Sequence, residues 1–139
     1  MNRYILMTAA NSYNLVLDVV DTDGPIPEVP ADEPFSSWQD YTGNTTAEPG
    51  MKMVWNGLPS FVPTTATERE AMKQGRIQTR LQAAQSWLMF NPVQYKSDLG
   101  TASPAEEAAL LAYKQYFVAV AEVKNQTTFP KLNWPVAPF

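Results

Sequence analysis

The chain has 139 residues, of which 45% are hydrophobic and only 17% are charged, enough for one domain or two very small ones. It contains no cysteine and no histidine. This excludes disulfide frameworks, thiol nucleophiles, the commonest general base and the commonest transition-metal ligand, so we expect neither a metal nor a cofactor. The net charge of −4 argues against a nucleic-acid partner. No apolar run reaches the roughly 18 residues of a membrane span, and no signal-peptide pattern opens the chain, so we expect a cytoplasmic protein.

The N-terminal third is acidic and favours β-structure. Residues 4–7 and 15–20 are rich in β-branched and aromatic side chains and predict two strands joined by a hairpin loop. Prolines recur through 25–34 with acids between them, which is typical of an extended connector. Asn56-Gly57 between the apolar runs 51–55 and 60–62 predicts a second hairpin.

The remaining part favours helices. Capping-box patterns at Thr65–Glu68 or Thr67–Glu70, followed by apolar residues at helical spacing, predict a helix over 67–89. Ser103-Pro104 with Glu106 predicts the start of a second helix over 104–124. Both helices have one apolar stripe, so we expect them to pack on each other as an αα-hairpin.

Taken together, these elements predict an α+β fold with two domains. Residues 1–63 would form a small antiparallel β-rich domain that includes the acidic, proline-rich connector. Residues 64–139 would form a helical domain with a proline- and aromatic-rich tail. No basic residue lies between Arg3 and Lys52, and this stretch contains eight of the fourteen acids, which supports the division.

Four cations share one face of the first predicted helix: Arg69, Lys73, Arg76 and Arg80. They form either a solvated face opposite the apolar stripe or a docking stripe for acidic groups, including the chain's own acidic N-terminal part. The tail from 129 to 139 also has two interpretations, because its aromatic side chains can bind a partner or pack on the helices.

The chain offers little for catalysis. The acids of the N-terminal third could in principle act as paired carboxylates or bind calcium, but no loop places oxygen ligands at regular spacing. A solvated acidic loop is the simpler interpretation, and we expect no enzyme. The acids in question are Asp21, Asp23, Asp32, Glu33 and Asp40.

An ordered set of short elements between about 65 and 135 resembles the tail fibre assembly proteins of bacteriophages. The counterparts are Arg80-Leu81 with Trp87-Leu88, Pro104-Ala105-Glu106-Glu107, the run 111–115, Phe129-Pro130 and Trp134-Pro135. Two residues depart from the pattern. The family usually has aspartate before the tryptophan, where this chain has Ser86, and a small residue where this chain has Tyr116. The N-terminal half shows no motif of this family.

The resemblance implies a chaperone of a phage, prophage or tailocin, acting in the host bacterial cytoplasm. It would bind the distal C-terminal part of a trimeric tail fibre and assist its folding and trimerisation, without nucleic acid or membrane as partner. The alternative is a structural component that stays at the fibre tip of the virion and contributes to receptor binding. Trp38 and Tyr41 would then be candidates for stacking on a glycan.

Interfaces concentrate their binding energy in buried aromatic and arginine side chains. We therefore predict that the C-terminal domain binds the fibre, with Arg76 and Arg80 as steering charges and four aromatic residues as apolar anchors. These four are Tyr113, Tyr116, Phe129 and Trp134.

Overall fold

The computed structural model describes residues 1–139 and has the predicted α+β fold, an antiparallel five-stranded sheet followed by helices. The strands are β1 (Asn2–Ala10), β2 (Tyr13–Thr22), β3 (Ser36–Asp40), β4 (Lys52–Trp55) and β5 (Pro59–Val62). The helices are α1 (Ala66–Phe90), α2 (Val93–Asp98) and α3 (Pro104–Glu122), followed by a 3-10 turn at Val123–Asn125. The strand order in the sheet is β3-β1-β2-β4-β5.

The first predicted hairpin is confirmed and is longer than the sequence indicates. β1 and β2 pair from Asn2 opposite Thr22 to Ala10 opposite Tyr13. The turn between them places Asn11 and Ser12 at φ of 47° and 73°, the left-handed region that two-residue hairpin turns require. Both faces of this hairpin are buried, because Ile5 and Leu6 belong to two separate apolar clusters.

The second predicted hairpin is confirmed as well. Met53 lies opposite Phe61 and Trp55 opposite Pro59, and Gly57 has the positive φ of 77° that the tight turn needs. The edge strand β3, which pairs with β1, is absent from the sequence prediction.

The two long helices agree with the predicted segments within a few residues. The start of α1 uses the earlier of the two capping boxes, in which the amide of Glu68 donates to Oγ1 of Thr65 and the amide of Thr65 donates to the Glu68 carboxylate. A capping box of Ser103 and Glu106 opens α3. The short helix α2 lies between the two long helices, where the sequence predicts no helix.

The chain divides into two compact units. Unit 1 comprises Met1–Arg76 and Thr127–Leu132, and unit 2 comprises Ile77–Gln126 and Asn133–Phe139. The division between them lies inside α1. The domains expected from the sequence, 1–63 and 64–139, stay a prediction about separate folding. No helix is both long and apolar enough to cross a membrane.

Candidate protein-binding surfaces

Arg76 is an interior residue of unit 1. Its side chain is 1% exposed, and its guanidinium lies 2.7 Å from the carboxylate of Glu33, which is also buried. The same guanidinium donates to the main-chain carbonyl of Pro130 at 2.8 Å. The solvated-face interpretation is therefore wrong for Arg76. Its contact with Glu33 is instead the alternative, in which the cation docks on the chain's own acidic part. A solvated acidic loop is likewise wrong for Glu33.

Arg80 and Trp134 form a second buried contact, inside unit 2. The guanidinium carbon of Arg80 lies 3.8 Å from the centroid of the Trp134 ring, a distance at which a cation is attracted to the π-face. Only 2% of Arg80 and 6% of Trp134 are exposed. Arg80 thus does not belong to a solvated face either, and the tail at Trp134 packs as part of the interior.

Aromatic rings from α1, α3 and the end of the chain form one cluster in unit 2. Trp87 stacks on Tyr113 with 5.8 Å between ring centroids and on Phe139 with 5.0 Å. Tyr116 meets Phe139 edge to face at 5.4 Å. Burial raises the pKa of the Tyr113 and Tyr116 hydroxyls. The contact of Trp87 with Tyr113 brings α1 and α3 together at this ring pair, as the expected αα-hairpin requires.

Phe129 lies in unit 1, half-buried beneath the guanidinium of Arg69 at 5.7 Å. The six residues predicted to bind the fibre are thus buried or half-buried, in two separate groups. Their role in binding stays a prediction, and in this structure their aromatic and guanidinium surfaces face other parts of the protein.

The surface of unit 2 instead exposes apolar side chains around the end of α1 and along α2. Met89 is 74% exposed, Phe90 82%, Tyr95 72% and Leu99 76%. We call these four residues the α1–α2 patch. Isolated exposed apolar residues are normal, whereas four large ones within residues 89–99 make this stretch a candidate interaction surface.

Two grooves border the patch at Pro92. One, of about 320 Å³, is lined by Gln85, Leu88, Met89, Pro92, Gln94 and Tyr95. The other, of about 340 Å³, lies between Trp87 and Phe90 on one side and the first turns of α3 on the other. No charged residue occurs from 81 to 95, so the first groove is uncharged. The amide nitrogen of Gln94 already donates to Asp98, so Gln85 is the glutamine whose amide can bond to peptide groups of a bound segment.

The remaining acids and aromatics named in the sequence analysis have structural partners. Asp21 forms an ion pair with Arg3, whose hydrogen bond lowers the pKa of that carboxyl. Hydrogen bonds from Thr42 lower the pKa of Asp40. Trp38 is half-buried with its indole N–H bonded to the carbonyl of Glu28, and Tyr41 packs edge to face on Phe61. No group of three or more acidic side chains could hold a metal ion.

Comparison with known protein families gives a match over nearly the whole chain. Residues 9–139 match the family described as Caudovirales tail fibre assembly protein, lambda gpK. The chain belongs to this family. The match confirms the resemblance drawn from residues 65–135 and extends it over the N-terminal half, which has no motif of this family that the sequence alone indicates. No curated protein and no solved structure matches this tail fibre assembly protein.

Membership of this family indicates a role in the assembly of phage tail fibres. The family is one of assembly proteins and not of enzymes, and its name places tail fibre proteins among its partners.

Proposed function

We propose that this protein is a chaperone that binds the distal C-terminal part of a tail fibre in the host cytoplasm and assists its folding and trimerisation. The observation that carries the proposal is the α1–α2 patch, together with family membership. Intertwined β-fibres fold slowly because their contacts join distant residues, and their chains expose apolar surface while they wait for partners. A chaperone for such chains needs an apolar surface that covers them and releases them.

The chemistry of the patch fits a partner that is itself apolar and uncharged. Met89, Phe90 and Tyr95 can cover aliphatic and aromatic side chains, and methionine adapts to irregular shapes. No charged side chain lines the first groove, whereas Lys96 and Glu106 line the second. The first groove is therefore the part of this surface best suited to an apolar, uncharged fibre segment.

The six buried or half-buried residues predicted from the sequence would support this surface rather than touch the fibre first. Arg80 with Trp134, and Tyr113 and Tyr116 with their aromatic neighbours, hold unit 2 together beneath it. Arg76 and Phe129 play the same part in unit 1. None of these groups needs to perform catalysis for the proposed role.

The alternative, a component that stays at the fibre tip and helps to bind a receptor glycan, draws less support. Trp38 and Tyr41 contact other parts of unit 1 and are not presented as open stacking platforms. Mass spectrometry of purified particles separates the two functions, because only the alternative requires the protein at fixed stoichiometry on the virion.

Co-expression with the cognate tail fibre tests the proposal. The wild-type protein should convert the fibre into a soluble trimer that is absent without it. The double variant Phe90→Ser, Tyr95→Ser should lower the trimer yield, while Leu111→Ser, Val118→Ser serves as control. The control removes two exposed apolar side chains of α3, and it should leave the yield unchanged. Equal losses from both variants, or trimers without the protein, would contradict the proposal.

A further inference from the structure

The two edges of the sheet in unit 1 differ in their protection against further strand pairing. Edge strands are usually protected by charged side chains, above all lysine, by proline, by bulges or by their shortness. At one edge β3 carries Asp40, whose carboxylate is exposed. At the other edge β5 carries no charge, and neither does the whole stretch from 53 to 67. The β5 edge thus lacks the charge that β3 carries, and only its length of four residues and Pro59 limit further pairing there.

The pairing pattern identifies which backbone groups of β5 face this open edge. The carbonyl of Met51, just before β4, accepts a hydrogen bond from the amide of Val16 in β2. Backbone groups of successive residues in a strand point to opposite sides, so those of the odd-numbered residues of β4 face β2 and those of the even-numbered residues face β5. The hydrogen bond from the Asn56 amide to the Leu58 carbonyl agrees with this alternation. On β5, Ser60 opposite Val54 thus points its backbone groups toward β4. The C=O of Pro59 and the N–H and C=O of Phe61 point outward, although Phe61 as a whole is only 7% exposed because its ring lies in the core.

The tip of the same hairpin adds apolar area next to the edge. Trp55 is 72% exposed and Leu58 is 73% exposed. Trp55 lies directly opposite Pro59, at the start of β5. Because Trp55 belongs to β4, β5 separates it from an added strand. Leu58 lies in the turn next to β5, so a strand that pairs with β5 and runs past the turn could contact it.

We propose that β5 accepts an uncharged β-strand of the tail fibre by strand addition, with Leu58 covering an apolar side chain of that strand. The inference rests on the proposed function, and it assigns to unit 1 a contact separate from the α1–α2 patch. In strand addition the main chain supplies the affinity and alternate side chains supply the specificity.

The outward groups of β5 favour a fibre strand over a second copy of this protein. Two β5 strands paired at Phe61 would exchange two hydrogen bonds, and the positions beyond them, Pro59 against Pro63, have no N–H to donate. A fibre strand with all its N–H groups can donate to the carbonyls of Pro59 and Phe61 and accept from the Phe61 amide. The β5 edge thus has more acceptors than donors and is best completed by a foreign strand.

A matched pair of lysine variants tests the inference. Ser60 on β5 and Ser37 on β3 are both exposed edge serines, so Ser60→Lys and Ser37→Lys introduce the same charge at opposite edges. With the cognate fibre's C-terminal fragment as probe, Ser60→Lys should weaken binding about tenfold, the equivalent of one or two lost hydrogen bonds. Ser37→Lys should leave it unchanged. Exchange of the Phe61 amide, followed by NMR in the wild-type protein, should slow when the fragment binds.

Each result has a distinct meaning. Equal affinities of the two lysine variants, or a Phe61 amide whose exchange does not slow on binding, would overturn the strand-addition proposal even if the wild type still produces fibre trimers. Self-pairing would replace the proposal if the Phe61 amide were already protected from exchange without the fragment and if Ser60→Lys converted a dimer of the protein into monomers. If the fragment slows exchange of the Phe61 amide and Ser60→Lys weakens binding, but the protein does not raise the yield of fibre trimers, strand addition would be supported and the chaperone function contradicted.

Discussion

Nη2 of Arg76 lies 2.7 Å from Oε1 of Glu33, and both side chains are inside unit 1. Because Nη1 of the same arginine donates to the carbonyl of Pro130, one side chain of α1 joins the proline-rich connector to the tail, across 43 and 54 residues of sequence. The connector and the tail have almost no regular secondary structure. This arginine thus holds together two segments that lack the backbone hydrogen bonds of a helix or a sheet.

Replacement of Glu33 by Gln should destabilise the protein strongly. The variant keeps the shape of the side chain but leaves the buried charge of Arg76 without its carboxylate. Breaking a buried ion pair from one side costs about 3 kcal/mol or more, which urea denaturation would detect. Asp23→Asn is the matched control, since Asp23 is 82% exposed in its pair with the N-terminus. The control should change the free energy of unfolding by less than about 0.5 kcal/mol.

The ion pair of Lys52 with Glu68 should make stability depend on acid pH. The hydrogen bond from Lys52 lowers the pKa of Glu68 below its ordinary 4.5. A lowered pKa in the folded state contributes stability above the unfolded pKa, and this contribution disappears as the pH falls through the folded value. Urea midpoints of the wild type and Glu68→Gln should therefore differ at pH 7 and converge below pH 4.5. If the two urea midpoints still differed by the same amount in acid, the stabilisation by Glu68 would come from packing or from the helix cap and not from its charge.

Local sequence patterns predicted the elements that depend on local physics. The sequence predicts the hairpin at Asn56-Gly57, the capping boxes and the apolar stripes of α1 and α3. It can do so because turn and cap chemistry act over a few residues. β3 was missed because Ser36-Ser37-Trp38 has no alternating pattern and becomes a strand only by pairing with β1. α2 was missed because its six residues show no full helical period.

The candidate site was harder to predict than the fold. Aromatic and arginine residues are the commonest anchors of interfaces, but the same residues also build small interiors, and the sequence alone does not separate these uses. Arg80 illustrates this, because its partner Trp134 lies 54 positions away. The signal that could have indicated the α1–α2 patch was the uncharged run 81–95, whose apolar residues continue past the stripe that a helix pair buries.

A fragment of residues 1–63 should not reach the stability of a longer one. Met72 of α1 is fully buried in the cluster that includes Leu6, Leu15 and Leu17. Loss of a buried methionine side chain costs about 2–5 kcal/mol, a large part of the roughly 5–15 kcal/mol that stabilises a whole domain. Circular dichroism melts of fragments 1–63 and 1–80 should show a cooperative transition only in the longer one. A cooperative melt of 1–63 would support the domain division expected from the sequence.

The last residue, Phe139, should stabilise unit 2 although it is 42% exposed. Its ring stacks on Trp87 and meets Tyr116 edge to face, and aromatic pairs contribute about 0.5–1.5 kcal/mol each beyond the area they bury. Phe139→Ala should therefore lower the free energy of unfolding by about 1–3 kcal/mol, from two such pairs, and change the fluorescence of Trp87. Phe139→Tyr should retain most of the stability, since it keeps the ring. Val136→Ala, at a 60% exposed position of the same tail, should have little effect. If Phe139→Ala and Val136→Ala behaved alike, the end of the chain would be only loosely held, and the aromatic cluster of unit 2 would consist of Trp87, Tyr113 and their neighbours on α3 alone.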